Sequence, residues 1–322
     1  MIDNKLVDKI AWWIPNKKLR ESFRNKFYSI YNPNTIWQVE IEIFSYCNRK
    51  CWFCPNSTID RNSNNMYLEE ELYIKVLNEL KKFDSIGFIT YSRYNEPLSD
   101  KIILKRIEQA RKILTNVWLT FNTNGDYLTK EYLDELAFAG LNHIQIQCYL
   151  SQNETFDVEN IIKPRMINFM RKLDLGFEES VNNERLYELK INYDKMDVRY
   201  QCRNFFEYGY NRGDTVKNIK PYNRVEPCYT PSNSIYIDYN GNVMPCCNFR
   251  SDIKKHEKFI MGNIAYNTIQ EIRANKKFTN FMKSLLAVNG GGINIPVIPA
   301  EWDYNNSYNK LYKMTTSCNI GD

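Results

Sequence analysis

The chain has 322 residues, of which 43% are hydrophobic and 25% charged, and its formal net charge is +5. This composition is that of a globular protein, so it excludes an intrinsically disordered chain, and the modest charge does not predict nucleic-acid binding. No apolar run is long enough to span a bilayer and the first residues lack a signal peptide, so we expect a cytoplasmic protein. The nine cysteines are therefore expected to be reduced thiols that serve a metal.

The first segment, residues 1–34, is basic and aromatic, because several lysines and arginines flank Trp12, Trp13 and Pro15. A segment of this kind either packs on its own domain or rests on an anionic membrane surface. We expect a helical extension of the protein, with a peripheral membrane contact as the alternative.

The first predicted strand, residues 37–44, alternates apolar and polar residues, which is the period of a half-buried strand. The sequence CNRKCWFC follows it and places Cys47, Cys51 and Cys54 in the loop that leaves the strand, with Phe53 before the last cysteine. Three thiolates at this C-x3-C-x2-C spacing can hold three irons of an iron–sulfur cube. The fourth iron is then open to a small molecule, as in catalytic metal sites.

A zinc knuckle and three unrelated core cysteines are the alternatives for this cysteine loop, residues 47–54. A structural zinc site would need a fourth cysteine or histidine at a second short spacing. The two histidines of the chain, His143 and His256, are far from the loop in sequence. The spacing therefore favours a reactive cluster over a structural metal.

Helical and strand patterns then alternate along the chain, which predicts a parallel sheet with crossover helices. In chain order the predicted elements are a helix over 66–82, a strand over 85–90, a helix over 98–114, a strand over 117–121, a helix over 130–139 and a strand over 143–147. The pattern weakens after residue 151, where a helix over 164–173 and a strand over 189–193 are expected. The turn-rich residues 211–227 indicate the passage to a C-terminal unit.

Polar residues occupy the carboxyl ends of three of these strands, where an α/β barrel places its chemistry. They are Asn95 and Glu96 after the second strand, Asn122, Thr123 and Asn124 at the third, and Gln145 and Gln147 in the fourth. Taken alone, each of these stretches is also typical of a polar turn. Cys148, next to Gln147, is expected to be a core residue, since free cysteine behaves as a small hydrophobe.

A second cysteine set lies downstream, where Cys228 precedes a predicted hairpin and Cys246 and Cys247 follow it. The hairpin is indicated by Asn240-Gly241 between alternating residues, which is a strong signal for a tight turn. Such a hairpin brings Cys228 and Cys246 close together.

The cysteine loop after the first strand resembles that of the radical S-adenosylmethionine (SAM) superfamily. This resemblance implies a partial (β/α)6 TIM-like barrel, an α/β fold, in which SAM binds the open iron of a [4Fe–4S] cluster. It implies reductive cleavage of SAM to a 5′-deoxyadenosyl radical, which abstracts a hydrogen atom from the substrate. It also implies a flavodoxin- or ferredoxin-type electron donor.

The resemblance further implies which residues serve the cofactors. Cys47, Cys51 and Cys54 would bind the cluster, and Asn95-Glu96-Pro97 occupies the place of the Gly-Glu-Pro motif that handles the amino group of SAM. Other residues implied on the cofactor side are Phe53, Asn122, Thr123, Asn124 and Gln147. Asn95 stands where the superfamily has a glycine, so a role that needs a glycine backbone is not expected.

The second cysteine set, with residues 261–281 after it, resembles the twitch or SPASM iron–sulfur extension of these enzymes. The resemblance implies Cys228, Cys246 and Cys318 as ligands of an auxiliary cluster, but the usual C-x2-C beyond the last helix is absent. A three-thiolate cluster, a cluster completed by Cys247 or a non-cysteine ligand, and a site without metal are all open. The expected domains are residues 1–34, the barrel 35–215 and the extension 216–322.

Within the superfamily, the chain is similar to twitch-type dehydrogenases that oxidise a secondary alcohol of an aminocyclitol. The matching residues include Asn211-Arg212-Gly213, which implies that Arg212 binds the substrate hydroxyl and assists its deprotonation. We therefore expect a radical SAM oxidoreductase that acts on a sugar or an aminocyclitol.

Three alternatives to this function remain open from the sequence. A sugar epimerase would return a hydrogen atom to the substrate from a thiol, for which Cys247 or Cys202 is the candidate. A peptide-modifying radical enzyme is the second, although the segment before the first strand is short for a leader-binding domain. A non-catalytic iron–sulfur electron carrier is the third.

Overall fold

The computed structural model of the protein describes residues 13–16, 34–217, 219, 228 and 230–286. Two predictions fall outside the described residues: almost all of the N-terminal segment 1–34, and the tail cysteine Cys318. None of the described helices is long and apolar enough to cross a membrane.

The described residues form one ten-stranded sheet. Its strands are β1 (Thr35–Ile41), β2 (Ser85–Thr90), β3 (Trp118–Thr123), β4 (His143–Gln147), β5 (Phe177–Asn182), β6 (Leu186–Ile191), β7 (Asp197–Arg203), β8 (Ser234–Ile237), β9 (Asn242–Met244) and β10 (Gly262–Asn263). The α-helices among the described residues are α1 (Glu70–Leu80), α2 (Ile102–Ile113), α3 (Lys130–Ala139), α4 (Lys163–Leu173), α5 (Phe205–Tyr208), α6 (Thr230–Asn233), α7 (Ile269–Ala274) and α8 (Lys276–Leu286).

The strands lie in the order β10-β9-β8-β1-β2-β3-β4-β7-β6-β5. The pairs from β8 through β1, β2, β3 and β4 to β7 are parallel, and both flanks are antiparallel. A parallel sheet with helices between its strands confirms the predicted α/β partial barrel. The parallel strand on the far side of β1 is β8, which belongs to the C-terminal segment, so the sheet is continuous across the predicted domain boundary at residue 216.

Local sequence explains why the helices form and which face they bury. In α1 the residues Tyr73, Val76, Leu77 and Leu80 recur at helical spacing and are at most 1% exposed. The burial of each such side chain contributes about 1.5–3 kcal/mol. Helix α3 is capped at its start by Thr129, whose hydroxyl accepts from the Tyr132 N–H, and at its end by Gly140 with φ of 102°.

Several predicted element boundaries were wrong. The first strand is Thr35–Ile41, and the first helix begins at Glu70 because Tyr67 forms a β-bridge with Phe44. The helix predicted over 98–114 opens as a 3-10 turn, Pro97–Ser99, before α2. The prediction after residue 151 missed β5 and β7, although β7 alternates the buried Val198, Tyr200 and Cys202.

The predicted hairpin around Asn240-Gly241 is confirmed. Strands β8 and β9 pair antiparallel across it, and Gly241 has φ of 77°, a conformation that favours glycine. Cys148 is 4% exposed within the main hydrophobic core, as predicted.

Candidate active site

The cysteine loop leaves the carboxyl end of β1 and is anchored at its start by Arg61. The Arg61 guanidinium donates to Ser45 O at 2.8 Å, and the Cys47 N–H donates to Arg61 O at 3.2 Å. Arg61 is 3% exposed and forms ion pairs with Glu42 at 2.9 Å and with Asp252 at 2.7 Å. Glu42 directly follows β1, before the loop, and Asp252 lies in the C-terminal segment. Charged groups from both units therefore fix this end of the loop.

The other end of the loop is anchored by Asn56, which is 2% exposed. Its Nδ2 donates to Tyr94 O at 2.8 Å. Burial raises the pKa of Cys47, and the Arg49 N–H and the Asn56 side chain act in the opposite direction. Donor groups beside a metal-binding thiolate stabilise its charge.

The chemistry of the three thiols fits an iron–sulfur cluster. Burial raises the pKa of Cys47 to about 11 and that of Cys51 to about 12, and neighbouring loop cysteines add to both shifts. Thiols in this environment become thiolates when a cation such as iron offsets the burial of their charge. Within the described part of the chain, no three potential ligands converge on the position of a single metal ion. A cube instead binds each cysteine at a different iron, so its ligands stand apart.

Aromatic side chains cover the loop on one side. Phe53 is 7% exposed and stacks on Phe205, with ring centroids 4.0 Å apart, while Tyr149 packs against it at 5.0 Å. Trp52 donates from its indole N–H to Leu150 O at 3.1 Å. This apolar wall limits the access of solvent to the cysteines, which is one of the factors that set the potential of a cluster.

Glu96 connects the second and third strands at their carboxyl ends. Its carboxylate accepts from the N–H groups of Leu98 at 3.1 Å and Asn124 at 2.7 Å and from the Thr123 hydroxyl. Burial raises its pKa to about 7, and these hydrogen bonds act in the opposite direction. The Asn124 amide donates onward to Asn48 Oδ1 at 2.8 Å, so the predicted cofactor residues are joined to the cysteine loop.

A second row of hydrogen bonds runs across the ends of the third and fourth strands. Gln147 donates to Asn122 Oδ1 at 3.1 Å, and Gln201 on β7 donates to Gln147 Oε1 at 3.1 Å. The structure thus brings Asn122 and Gln147 together, as expected for neighbouring parallel strands. The sequence analysis missed Gln201 because β7 was not predicted.

Asn95 takes an ordinary backbone conformation. Among the described non-glycine residues, those with positive φ are Asp174, Arg212 and Asp214. Asn95 therefore replaces a glycine without strain. Its Oδ1 accepts from the Arg93 N–H at 3.3 Å, and its Nδ2 is buried without a hydrogen-bond partner among the described residues.

The cysteines of the second set lie close together. The Cys246 thiol donates to Cys247, and Cys228 is near enough to add to the raised pKa of Cys246. The hydrogen bond from Cys246, with the charges of Arg212 and Arg93, lowers the pKa of Cys247 to about 6. Cys247 is therefore within the electrostatic reach of Arg212, whose charge favours the thiolate form.

Arg212 is held in a left-handed backbone conformation, with φ of 48°, and Gly213 and Asp214 continue it at 62° and 65°. Strain of this kind in a non-glycine residue costs about 1–3 kcal/mol and is concentrated at functional sites. The Gly213 carbonyl accepts from His256 Nε2 at 2.8 Å, and the Asp214 carbonyl accepts from Lys255. The C-terminal unit therefore fixes this turn.

The Arg212 side chain is half-buried, and Tyr94, Cys247 and Cys54 lie within the electrostatic reach of its guanidinium. Burial alone would lower its pKa, but these neighbours raise it above the usual arginine value, so the group stays charged. Within the described residues no carboxylate pairs with it in an ion pair. A half-buried cation without a paired carboxylate favours binding of an anion or a strong hydrogen-bond acceptor.

Glu40, on the inward face of β1, was missed as a site residue. It accepts from Gln38 Nε2 at 2.6 Å and from Arg93 Nη1 at 3.4 Å. Burial, together with Cys247, raises its pKa to about 8, while Arg93 and Arg212 act in the opposite direction. The signal in the sequence was the alternation of polar and apolar residues along β1. Successive side chains of a strand point to opposite faces, so one set of them lines the barrel interior.

Comparisons with known proteins agree with this site. Residues 41–175 match the family model of the radical SAM superfamily, and residues 228–290 match that of the iron–sulfur cluster-binding domain SPASM. The chain thus carries a radical SAM domain over residues 41–175 and a SPASM-type extension over residues 228–290. Its cofactors are SAM and [4Fe–4S] iron–sulfur clusters, including an auxiliary one; SAM and the cluster that binds it would supply a radical that abstracts a hydrogen atom from the substrate.

The SAM-dependent 2-deoxy-scyllo-inosamine dehydrogenase of Niallia circulans is 27% identical over 248 residues, covering 77% of this chain and 86% of that enzyme. The solved structure of BtrN in complex with AdoMet and 2-DOIA has a TM-score of 0.58 at 25% identity and covers 81% of this chain and 91% of BtrN. A cofactor-modifying protein of tungsten-containing aldehyde ferredoxin oxidoreductase, from Pyrococcus furiosus, is 26% identical over 38% of this chain and 32% of its own. The predicted superfamily, extension, cofactors and oxidoreductase class are thus confirmed.

Proposed function

We propose that this enzyme oxidises a secondary alcohol of an aminocyclitol or a related sugar to a ketone. The similarity to 2-deoxy-scyllo-inosamine dehydrogenase over most of both chains supports a substrate of this class. The observation that carries the proposal is Arg212, a half-buried guanidinium within the electrostatic reach of Cys54 of the first cysteine set and Cys247 of the second. A hydroxyl bound to Arg212 would therefore be held near cysteines of both sets.

Oxidation of the alcohol removes a hydrogen atom from the carbinol carbon, and then one proton and one electron. Arg212 stays protonated, so its role is to bind the hydroxyl oxygen and to stabilise negative charge as the proton leaves. An auxiliary cluster would supply the electron acceptor, and Cys228, Cys246 and Cys318 would hold it. The proposed ligands of the SAM-binding cluster are Cys47, Cys51 and Cys54.

The proton acceptor is Glu40, in place of the arginine that the sequence suggested. Its carboxylate lies within the electrostatic reach of both Arg212 and Cys247. A carboxyl with a pKa of about 8 is matched to proton transfer near neutral pH, because a base works best when its pKa is close to the operating pH. The guanidinium and the carboxylate then act as a pair on one hydroxyl.

The remaining assignments complete the proposal. Phe53, Asn95, Glu96, Asn122, Thr123, Asn124 and Gln147 serve the SAM side of the site. The barrel extends over 35–215 and the auxiliary domain over 216–322. The enzyme works in the cytoplasm and receives its electron from a flavodoxin- or ferredoxin-type protein.

The epimerase alternative is less well supported than dehydrogenation. A thiol that returns a hydrogen atom must carry that hydrogen, whereas the positive charges of Arg212 and Arg93 favour the charged form of Cys247. Cys202 is fully buried and its thiol is hydrogen-bonded with Cys148 within the core. Neither cysteine is therefore suited to this step.

The test uses anaerobically reconstituted enzyme, SAM, dithionite and 2-deoxy-scyllo-inosamine as the probe. We expect 5′-deoxyadenosine and a product that lacks two hydrogen atoms, with deuterium from the carbinol carbon appearing in the 5′-deoxyadenosine. An isomer of unchanged mass would instead establish an epimerase. Formation of 5′-deoxyadenosine that neither this probe nor other aminocyclitols and amino sugars stimulate would refute the proposal.

A further inference from the structure

A cluster of polar side chains joins the cysteine loop to the turn that follows β3. Asp126, in that turn, accepts hydrogen bonds from two loop residues: its Oδ2 from Asn48 Nδ2 and from Arg49 Nε, each at 2.7 Å, and its Oδ1 from Arg49 Nη2. Both carboxylate oxygens thus accept from one guanidinium, an arrangement that fixes its orientation as well as its position. Asn48 and Arg49 lie between Cys47 and Cys51, so these contacts hold the loop between its first two cysteines.

A closed ring of three hydrogen bonds determines the amide orientations in this cluster. Asn124 Nδ2 donates to Asn48 Oδ1 at 2.8 Å, the Asn48 Nδ2 donates to Asp126, and the Asp126 N–H donates to Asn124 Oδ1 at 2.9 Å. A flip of either amide would place donor against donor and break two of the three bonds. Loss of the Asp126 carboxylate would therefore also leave the Asn48 amide without a fixed orientation.

The turn that carries Asp126 is itself fixed to the barrel. The Asn124 N–H donates to Glu96 Oε2 at 2.7 Å, and Glu96 is only 3% exposed. The Glu96 N–H in turn donates to Tyr46 O at 2.8 Å, directly before Cys47. The cysteine loop is thus held at two points, through Glu96 before Cys47 and through Asp126 after it.

The position of the Asp126–Arg49 pair points to a local role. The two side chains are 36% and 33% exposed, and an ion pair this exposed contributes little to the stability of a fold. We propose that Asp126 is a positioning residue for the SAM-binding cluster: through Asn48 and Arg49 it fixes the loop between Cys47 and Cys51, and so slows loss of the cluster. This inference rests on the proposed assignment of Cys47 and Cys51 as ligands and is independent of the substrate.

The test measures how fast the intact, anaerobically reconstituted enzyme loses this cluster to an iron chelator, bathophenanthroline disulfonate. The EPR signal that responds to SAM, recorded after reduction with dithionite, reports the SAM-binding cluster, and the total iron released reports both clusters. Asp126→Asn keeps the size of the side chain but removes its charge and one acceptor. We expect the SAM-responsive signal to decay about tenfold faster, because loss of a group that orients a metal ligand costs about 10–100-fold in metal affinity. An unchanged rate of decay would overturn the proposal.

A second comparison shows whether Asp126 acts through the two loop residues. In the Asn48→Ala/Arg49→Met background both contacts are already absent, so Asp126→Asn should cause no further increase in the rate. A further increase of similar size would mean that the carboxylate acts by its own charge, which contradicts the proposal. The iron of the second cysteine set should leave at the wild-type rate in every variant. Equally faster loss of both clusters would indicate general destabilisation and would also overturn the proposal.

The matched control is Asp134→Asn. Asp134 accepts from Lys195 Nζ at 2.7 Å and from the Tyr193 hydroxyl at 2.6 Å, and these partners belong to the connection between β6 and β7. This variant should lose the cluster at the wild-type rate, and loss as fast as in Asp126→Asn would contradict the proposal. Where Asp126→Asn does not fold, Arg49→Lys keeps the charge but not the planar fork, and we expect faster loss; an unchanged rate would refute the proposal. No substrate is required, so this outcome is separate from that of the alcohol oxidation assay.

Discussion

Removal of Arg61 should destabilise the protein far more than removal of an exposed lysine. Arg61 and Glu42 are 3% and 0% exposed in their side chains and lie 2.9 Å apart. Deleting one member of such a buried pair costs about 3–5 kcal/mol, because the other charge is left without compensation. For a domain of this size, about 2 °C per kcal/mol predicts a fall in the melting temperature of about 6–10 °C for Arg61→Met.

The matched control is Lys101→Met. Lys101 pairs with Glu135 on the surface, where the side chains are 59% and 47% exposed. A surface pair contributes about 0–1 kcal/mol, so its loss should lower the melting temperature by about 2 °C or less. Anaerobic thermal unfolding of the holoenzyme, followed by far-UV circular dichroism, measures both changes.

The loss in Arg61→Met should also depend on pH. Burial raises the pKa of Glu42 in the folded protein, and Arg61 opposes that shift, so removal of Arg61 raises the pKa further. A carboxyl whose pKa is higher in the folded state destabilises the fold as pH rises through that pKa. The difference from the wild type should therefore be larger at pH 8 than at pH 6. A fall in melting temperature no larger than that of Lys101→Met, or one that shrinks as pH rises, would refute this reasoning.

Three shorter predictions concern the site. Arg212→Met should lower the rate of ketone formation at least about 100-fold, as loss of a charged transition-state contact does. The variant should still form 5′-deoxyadenosine in the absence of substrate. Loss of ketone formation together with loss of 5′-deoxyadenosine formation would indicate misfolding. In the wild type, kcat/KM should rise with pH to a plateau above about 8, because Glu40 must be ionised. Glu40→Gln should lower kcat/KM and flatten its pH profile. An unchanged pH profile in this variant would exclude Glu40 as the base. The wild type should bind about eight irons per chain and the Cys246→Ala variant about four. Equal iron contents in the two proteins would exclude an auxiliary cluster at Cys246.

The local features of this protein were readable from its sequence. The three cysteines of the first set lie within one short loop, so their spacing alone indicated the cluster. The hairpin at Asn240-Gly241 and the helix that ends at Gly140 were predicted for the same reason, because a tight turn and a helix end each depend on a few neighbouring residues. Alternation of strands and helices likewise indicated the parallel sheet.

The arrangement of the site depended on the tertiary structure. Strand β7 pairs with β4 although β5 and β6 intervene in sequence, and this order brings Gln201 to Gln147. Strand β8 pairs with β1, so Glu40 of the barrel faces the second cysteine set. Arg250 and Asn56, 194 positions apart, share a hydrogen bond. Periodicity and spacing in the sequence indicate only which face of an element is buried. Contacts between distant residues depend on the order and register of the strands, and many segments of the chain determine these together.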